Sequence, residues 1–358
     1  MTHSPVGAHT ISEILSEPET WRECLAALDR SGDLAALSQS LPRSTEWVFV
    51  GCGSSYYVAM IAAVTWSILT GEAARAMPAS EILLYPATLP APCQPVLISR
   101  SGHTSEIIEA AEYLERQRGV RTLAITCGTD TPMERAASHL IRLPAADEKS
   151  TVMTRSFTSM LLALQALAAE RGGAAQRPFR TALDSLAAQA QRKLGVIAST
   201  IETLVRAGSF ADYVFLGQGP FFGVAQESML KVKEMSCSYA QCFHTLEFRH
   251  GPKAIVSAET LVTFFLSESG FDAEVAVLEE IKSLGGVTLA VTNSATAAVR
   301  KSADYCIELA LDAPEAARAA VAVIAGQLLG YHTGVRKGFN PDAPKNLSRV
   351  VMLDSIEK

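Results

Sequence analysis

The sequence has few charges, no basic excess, no long apolar run and no paired cysteines, and each shortage removes a class of protein. Charged residues make up 19% of the 358, with 37 acidic against 31 basic, for a formal net charge of -6. A nucleic-acid binder needs a basic face, so this balance argues against one. The longest apolar stretches, such as VAMIAAVTWSILTG from Val58, fall short of the roughly 20 residues that cross a bilayer, so no membrane partner is expected. The opening MTHSPVGAHTISEI has neither a basic flank nor an apolar core. No secretory signal is legible there, and a cytoplasmic location is expected. The seven cysteines are scattered without a CxxC pair, as free or buried thiols in a reducing compartment would be. Even the nearest pair, Cys237 and Cys242, lacks zinc spacing, so neither a metal nor a cofactor is expected.

What is present is a large apolar fraction, 48%, in a chain long enough for about two domains. Self-similarity locates them. VFVGCGSSYYVA from Val48 recurs as VFLGQGPFFGVA from Val214, and TLAIT from Thr122 recurs as TLAVT from Thr288. Between them, ISRSGHTSE from Ile98 recurs as LSESGFDAE from Leu266. Three ordered matches at nearly constant spacing indicate two copies of one unit. In each copy short β-branched runs (WVFVG, PVLIS, TLAIT, HLIRL in the first) alternate with longer helical patterns, the mark of a parallel sheet with crossover helices. The expected organisation is a helical leader over 1–30, one α/β unit over 31–178, a second over 179–338, and a tail over 339–358. The Ala/Gly-rich stretch from Ala168 to Arg180 marks the junction.

In such sheets ligands sit beyond the carboxyl ends of the strands. Cys52, Gly53, Ser54 and Ser55 follow the first strand there, and Ser99, Arg100, Ser101, Gly102, His103 and Thr104 follow the second. A Ser/Gly/Thr loop that opens a helix turns backbone N–H groups, hydroxyls and the positive helix end toward one point, which suits a phosphate. Ser101 or Thr104 equally suits a plain helix N-cap. The second copy carries Glu268 in place of Arg100, Asp272 in place of Thr104, and Pro220 and Phe221 in place of Ser54 and Ser55. Those carboxylates would repel a phosphate, so only the first copy is expected to keep an anion site.

The second copy offers different chemistry. In GVAQESMLKVKEMS, Glu227, Lys231 and Glu234 fall at i, i+4 and i+7 on one helix face, either as a solvated ion pair or as an acid/base group with a cation beside it. Arg249 and His250 then stand immediately before a Gly-Pro turn, where an imidazole can relay protons near neutral pH.

Together GCGSS, SRSGHT, MTRSFTS, KVKEMS, EFRHGPKAIV and NPDAPKNLSRVVML occur in the order found in tandem sugar isomerase (SIS) domain proteins. The chain resembles the isomerase half of glucosamine-6-phosphate synthase and, more closely, stand-alone aminosugar-phosphate deaminase/isomerases of the tagatose-6-phosphate ketose/aldose isomerase type. The resemblance implies two flavodoxin-like parallel sheets flanked by helices. It implies that Ser55, Ser99, Arg100, Ser101 and Thr104 hold a sugar phosphate within the loops that Gly53, Ser54, Gly102 and His103 complete. Cys52 and the segment Thr151, Val152, Met153, Thr154 would lie near the sugar hydroxyls. Glu234 would move a proton between C1 and C2 of the open-chain sugar, with Lys231 beside it. The equivalent of His250 opens the ring and often comes from a neighbouring subunit, so a homodimer is implied.

Two departures from the synthase shape the expectation. The leader is too short for a glutaminase domain and no cysteine follows Met1, so ammonia release is expected rather than transfer from glutamine. Arg349 stands where the synthase has a lysine; an arginine stays protonated and forms no Schiff base, so its expected part in catalysis is charge stabilisation. The expected activity is therefore a hexosamine-6-phosphate deaminase/isomerase. The alternatives are a fructosamine-6-phosphate deglycase, a simple aldose/ketose phosphate isomerase, or a sugar-phosphate sensor without turnover.

Overall fold

The computed structural model describes residues 5–42, 46–89 and 91–350; the first four residues of the expected leader and 351–358 of the expected tail lie outside these. The chain begins with helices α1 (Ala8–Leu15), α2 (Glu17–Ser31) and α3 (Asp33–Ser40). The first α/β run follows as β1 (Glu46–Gly51), α4 (Ser54–Thr70), β2 (Ala74–Pro78), α5 (Ala79–Leu84), β3 (Cys93–Ile98), α6 (Ser105–Glu112), β4 (Leu123–Thr126), α7 (Pro132–Ala136) and β5 (His139–Arg142). Helices α8 (Arg155–Gly172) and α9 (Arg177–Ala207) meet at a short 3-10 turn, Gly173–Gln176, in the Ala/Gly-rich stretch. The second run is β6 (Asp212–Gly217), α10 (Pro220–Ser236), β7 (Ala240–His244), β8 (Thr260–Phe265), α11 (Phe271–Ser283), β9 (Val287–Thr292), α12 (Ala297–Ser302), β10 (Tyr305–Glu308) and α13 (Ala319–Arg336).

The chain forms two compact units. The N-terminal unit takes the described residues of Ser16–Glu148, Met153–Ala187 and Ser348–Lys358; the C-terminal unit takes those of Met1–Leu15, Lys149–Val152 and Ala188–Leu347. Each holds one five-stranded parallel sheet, ordered β2-β1-β3-β4-β5 in the first and β7-β6-β8-β9-β10 in the second. Both are the doubly wound 2-1-3-4-5 order of flavodoxin-like folds, and in both the strand order reverses beside the first strand of the run. The inner strands are apolar along nearly their whole length because helices cover both faces: β3 and β8 are buried at every position.

The two copies repeat backbone as well as sequence. Gly53 (φ 56°, ψ -128°) and Gly219 (φ 52°, ψ -128°) turn the chain from the first strand of each run into its helix, a conformation that glycine adopts at little cost. Two residues earlier, a Cβ on Gly51 would lie 2.3 Å from the Ser55 carbonyl carbon, and one on Gly217 2.3 Å from the Phe221 carbonyl oxygen. The shared G-x-G therefore combines one close approach and one left-handed turn.

Arg171 anchors the N-terminal unit. Its buried guanidinium pairs with Glu72 at 2.8 Å, donates to the carbonyls of Ser38, Leu41 and Pro42, and lies 5.3 Å from the centre of the Trp47 ring. Such a charge is stable inside only because nearly every N–H is used.

In the C-terminal unit α13 packs along α10 through Gly326, Gly330 and Gly334, one per turn. A Cβ on Gly330 would lie 2.6 Å from the Lys231 carbonyl oxygen. Alanine gains about 1 kcal/mol in helix propensity, but this clash is with backbone and can be relieved only by moving a helix. Gly330→Ala is expected to destabilise the protein by about 1–3 kcal/mol net, read as a lower midpoint in urea unfolding.

Candidate active site

The loop after β3 is built from its own side chains. Gly102 has φ 67°, and a Cβ there would lie 2.5 Å from Thr131 Oγ1, so both conformation and space call for glycine. Ser99 Oγ accepts the Gly102 N–H at 3.1 Å and shares a hydrogen bond with Thr104 Oγ1 at 3.1 Å. Ser101 Oγ accepts the His103 N–H at 3.1 Å, and the Ser101 carbonyl lies 2.8 Å from His103 Nδ1. Thr104 stands at the N-cap position of α6 but makes no side-chain cap bond; its hydroxyl goes to Ser99 instead. The plain-cap reading therefore fails for Thr104. This loop and Cys52–Ser55 follow neighbouring strands at the point where strand order reverses, the place where doubly wound sheets bind ligands.

Around these loops the N-terminal unit gathers more of the expected residues. Ser54 and Ser55 are buried, and Ser55 Oγ lies 3.8 Å from Met153 Sδ. Burial, and next the nearby Glu106 charge, push the Cys52 thiol up to about 12, so it is a neutral thiol at physiological pH. Arg100 is buried and does not stand alone: Nη1 lies 3.6 Å from Glu148 Oε2, and Nη2 donates to the Arg349 carbonyl at 2.9 Å. Arg349 is half-exposed and its guanidinium pairs with Asp147 at 2.6 Å. Glu148, which sequence reasoning did not single out, is fully buried. It accepts both the N–H and the hydroxyl of Thr154 at 2.6 Å and the hydroxyl of Ser156. The signal was an acidic residue a few positions ahead of a Thr/Ser cluster.

The C-terminal unit carries the residues expected to do acid/base work. On α10 the Glu/Lys face is not solvated: Lys231 and Glu227 are fully buried, while the Glu234 side chain keeps 19% of its exposure. Lys231 Nζ lies 3.2 Å from Glu227 Oε1 and 2.5 Å from Glu234 Oε2. Burial disfavours the ammonium, but the two carboxylates outweigh it and hold its pKa above the ordinary lysine range. Lys231 is thus a fixed cation, and Glu234 is the partly open end of the triad.

His250 ends the short 3-10 turn Glu247–Arg249, exposed, with no hydrogen bond from its ring among the described residues. Phe248, fully buried, anchors that turn from below, and Arg249 and Lys253 both pair with Glu280. Thr151 and Val152 also belong to this unit, with the Thr151 hydroxyl 3.4 Å from the Asp342 carbonyl.

The repeated loop of the C-terminal unit is filled by its own acid. Glu274 accepts the Ser267 N–H at 2.7 Å and its hydroxyl at 2.9 Å, while Glu268 pairs with Arg318 at 2.6 Å. Burial raises the Glu274 pKa, opposed by the Ser267 bonds; hydrogen bonding from Arg318 lowers that of Glu268.

A family model described as the SIS domain matches the chain twice, over residues 41–170 and 212–333. Among curated relatives, the glutamine--fructose-6-phosphate aminotransferase [isomerizing] of Methanothermobacter thermautotrophicus is 25% identical over 96% of this chain but only 57% of its own length. This chain thus spans a little over half of such relatives. A Streptomyces coelicolor protein named "Putative D-galactosamine-6-phosphate deaminase AgaS" is 29% identical, covering 94% of this chain and 91% of its own. The crystal structure of a glucosamine-6-phosphate deaminase from Thermotoga maritima superposes with a TM-score of 0.81 at 27% identity, covering 96% of this chain and all of that one. Among the described residues no helix is long and apolar enough to cross a membrane.

Proposed function

The chain belongs to the SIS domain family, and from that premise we propose that it is an aminosugar-phosphate deaminase/isomerase, converting a hexosamine 6-phosphate and water to a ketose 6-phosphate and ammonia. The observation that carries this reading is the α10 triad: a partly open carboxylate, Glu234, held at 2.5 Å by a buried, protonated lysine. That is the equipment of a proton shuttle whose carboxylate must return to one position after each transfer. Relatives bearing deaminase names match over 91% and 100% of their lengths, which further supports a deaminase.

In this mechanism the hydroxyls and amides of Ser99–Thr104, with Ser55, hold the phosphate, and Arg100, tied to Glu148, stiffens the loop. His250, supplied by a second copy of the chain in a homodimer, assists opening of the hemiacetal. Glu234 removes the C2 proton and returns it to C1 while a proton passes from the amine to the C1 oxygen, leaving a hydroxymethyl group at C1 and an imine at C2. Water adds to that imine and expels ammonia. The proton shift and the hydrolysis need no redox step and no cofactor.

The deciding experiment gives purified protein glucosamine 6-phosphate and galactosamine 6-phosphate separately and measures ammonia together with ketose phosphate. Ammonia in step with ketose phosphate from either sugar is the expected result and names the C4 preference. Binding of both sugars without ammonia overturns the deaminase and leaves a deglycase, a simple isomerase or a sensor.

A further inference from the structure

Outside the expected site residues, the most heavily used buried carboxylate in the C-terminal unit that touches a site segment is Glu13, on α1. We propose that Glu13 is a positioning residue: it sets the segment Lys149–Val152, and through it the grip on the sugar rather than on the phosphate. The inference rests on the hexosamine-phosphate reading above.

Glu13 keeps 5% of its exposure. Its Oε1 accepts the Lys149 N–H at 2.6 Å, and both oxygens lie within 3.4 Å of the Ser150 N–H. The fully buried Ser150 hydroxyl then donates to the Val152 carbonyl at 3.0 Å. A carboxylate, an amide, a hydroxyl and a carbonyl thus follow one another and fix the curve of the segment that ends at Val152. Burying a carboxylate is costly unless it is well hydrogen-bonded. Here two of its bonds go to amides of an irregular segment that neither helix nor sheet would otherwise hold.

The helix that carries Glu13 is itself fixed. Asp342 accepts the Thr10 N–H and hydroxyl, each at 2.7 Å, and the His9 N–H at 3.1 Å, and its carbonyl lies 3.4 Å from the Thr151 hydroxyl. Residues near 10, 150 and 342 therefore form one hydrogen-bonded circuit, and the leader is part of the site's frame.

The test compares the affinity of full-length wild type and Glu13→Gln for glucosamine 6-phosphate, galactosamine 6-phosphate and inorganic phosphate, by calorimetry. The amide keeps the volume but loses the charge and one acceptor. Glu13→Gln is expected to weaken the preferred hexosamine phosphate roughly tenfold, the loss of about one charge-assisted hydrogen bond, while inorganic phosphate stays within about twofold. Ser150→Ala, which breaks the next link and leaves Glu13 in place, should shift the same ratio in the same direction, and it serves if the first variant does not fold. A purely structural role would weaken both ligand types together or neither, and either outcome in both variants overturns the proposal. If wild type binds neither hexosamine phosphate, the functional reading fails and this inference falls with it; that failure shows in the wild type, the other only in the variants.

Discussion

Glu234→Gln is expected to lower kcat for ammonia release by roughly 10²- to 10⁴-fold with KM little changed, the usual worth of a positioned general base. Glutamine fills the same volume and still reaches Lys231, so the 2.5 Å contact survives in altered form. What it cannot do is accept a proton from C2. The residues expected to hold the phosphate lie in the other unit, on the Ser99–Thr104 loop, which closes on itself through Ser99, Ser101 and Thr104 and does not use Glu234. Phosphate affinity should therefore be intact, and steady-state kinetics with a coupled ammonia assay separates kcat from KM. A variant that turns over at a near-normal rate would remove Glu234 from the mechanism.

How much of this is legible in the sequence depends on how local the determining contacts are. The inner strands β1, β3, β4, β6, β8 and β9 stand out as apolar runs because a parallel sheet buries both of their faces. The edge strands β2 and β7 do not: ARAMP and AQCFH are mostly half-buried, carry no such run, and become strands only by pairing with β1 and β6. The Ser99–Thr104 loop is legible because its bonds span two to five residues. Glu13 is not, because its partners lie 136 and 137 residues away.

The α10 face shows the same division. Spacing alone places Glu227, Lys231 and Glu234 together, and it equally allows a solvated ion pair. What decides between the two is burial: the Lys231 side chain is fully buried, and α13 lies against the backbone of the same helix, close enough at Gly330 that a Cβ would meet the Lys231 carbonyl oxygen. Gly330, which permits that close approach, stands far downstream of Lys231 and carries no side chain for a sequence pattern to register.

That burial makes Lys231→Met the most informative stability test. Methionine matches lysine in length and tolerates an apolar site, so packing should change little. The charge does change: Glu227, fully buried, and Glu234 lose the cation that lies 3.2 and 2.5 Å away. Breaking a buried pair from one side costs about 3–5 kcal/mol, because the surviving charge is stranded. The variant should lose that much stability at pH 7 in urea unfolding. The double variant Glu227→Gln/Lys231→Met should regain part of it, which separates stranded charge from lost packing. The sign of the pH dependence follows from the lysine. Its folded pKa is raised above the ordinary 10.5, so its contribution is fully present below that value and is lost as pH rises through the folded pKa. The gap between wild type and Lys231→Met should therefore persist as pH rises until strong alkali, where the wild type gives up its own ammonium, and narrow on the acid side, where the stranded carboxylate of the variant takes up a proton. A gap that instead closed as pH rose from about 6 to 8, far below the ordinary lysine range, would mean that Lys231 loses its proton there, and with it would go the fixed cation on which the proposed role of Glu234 depends.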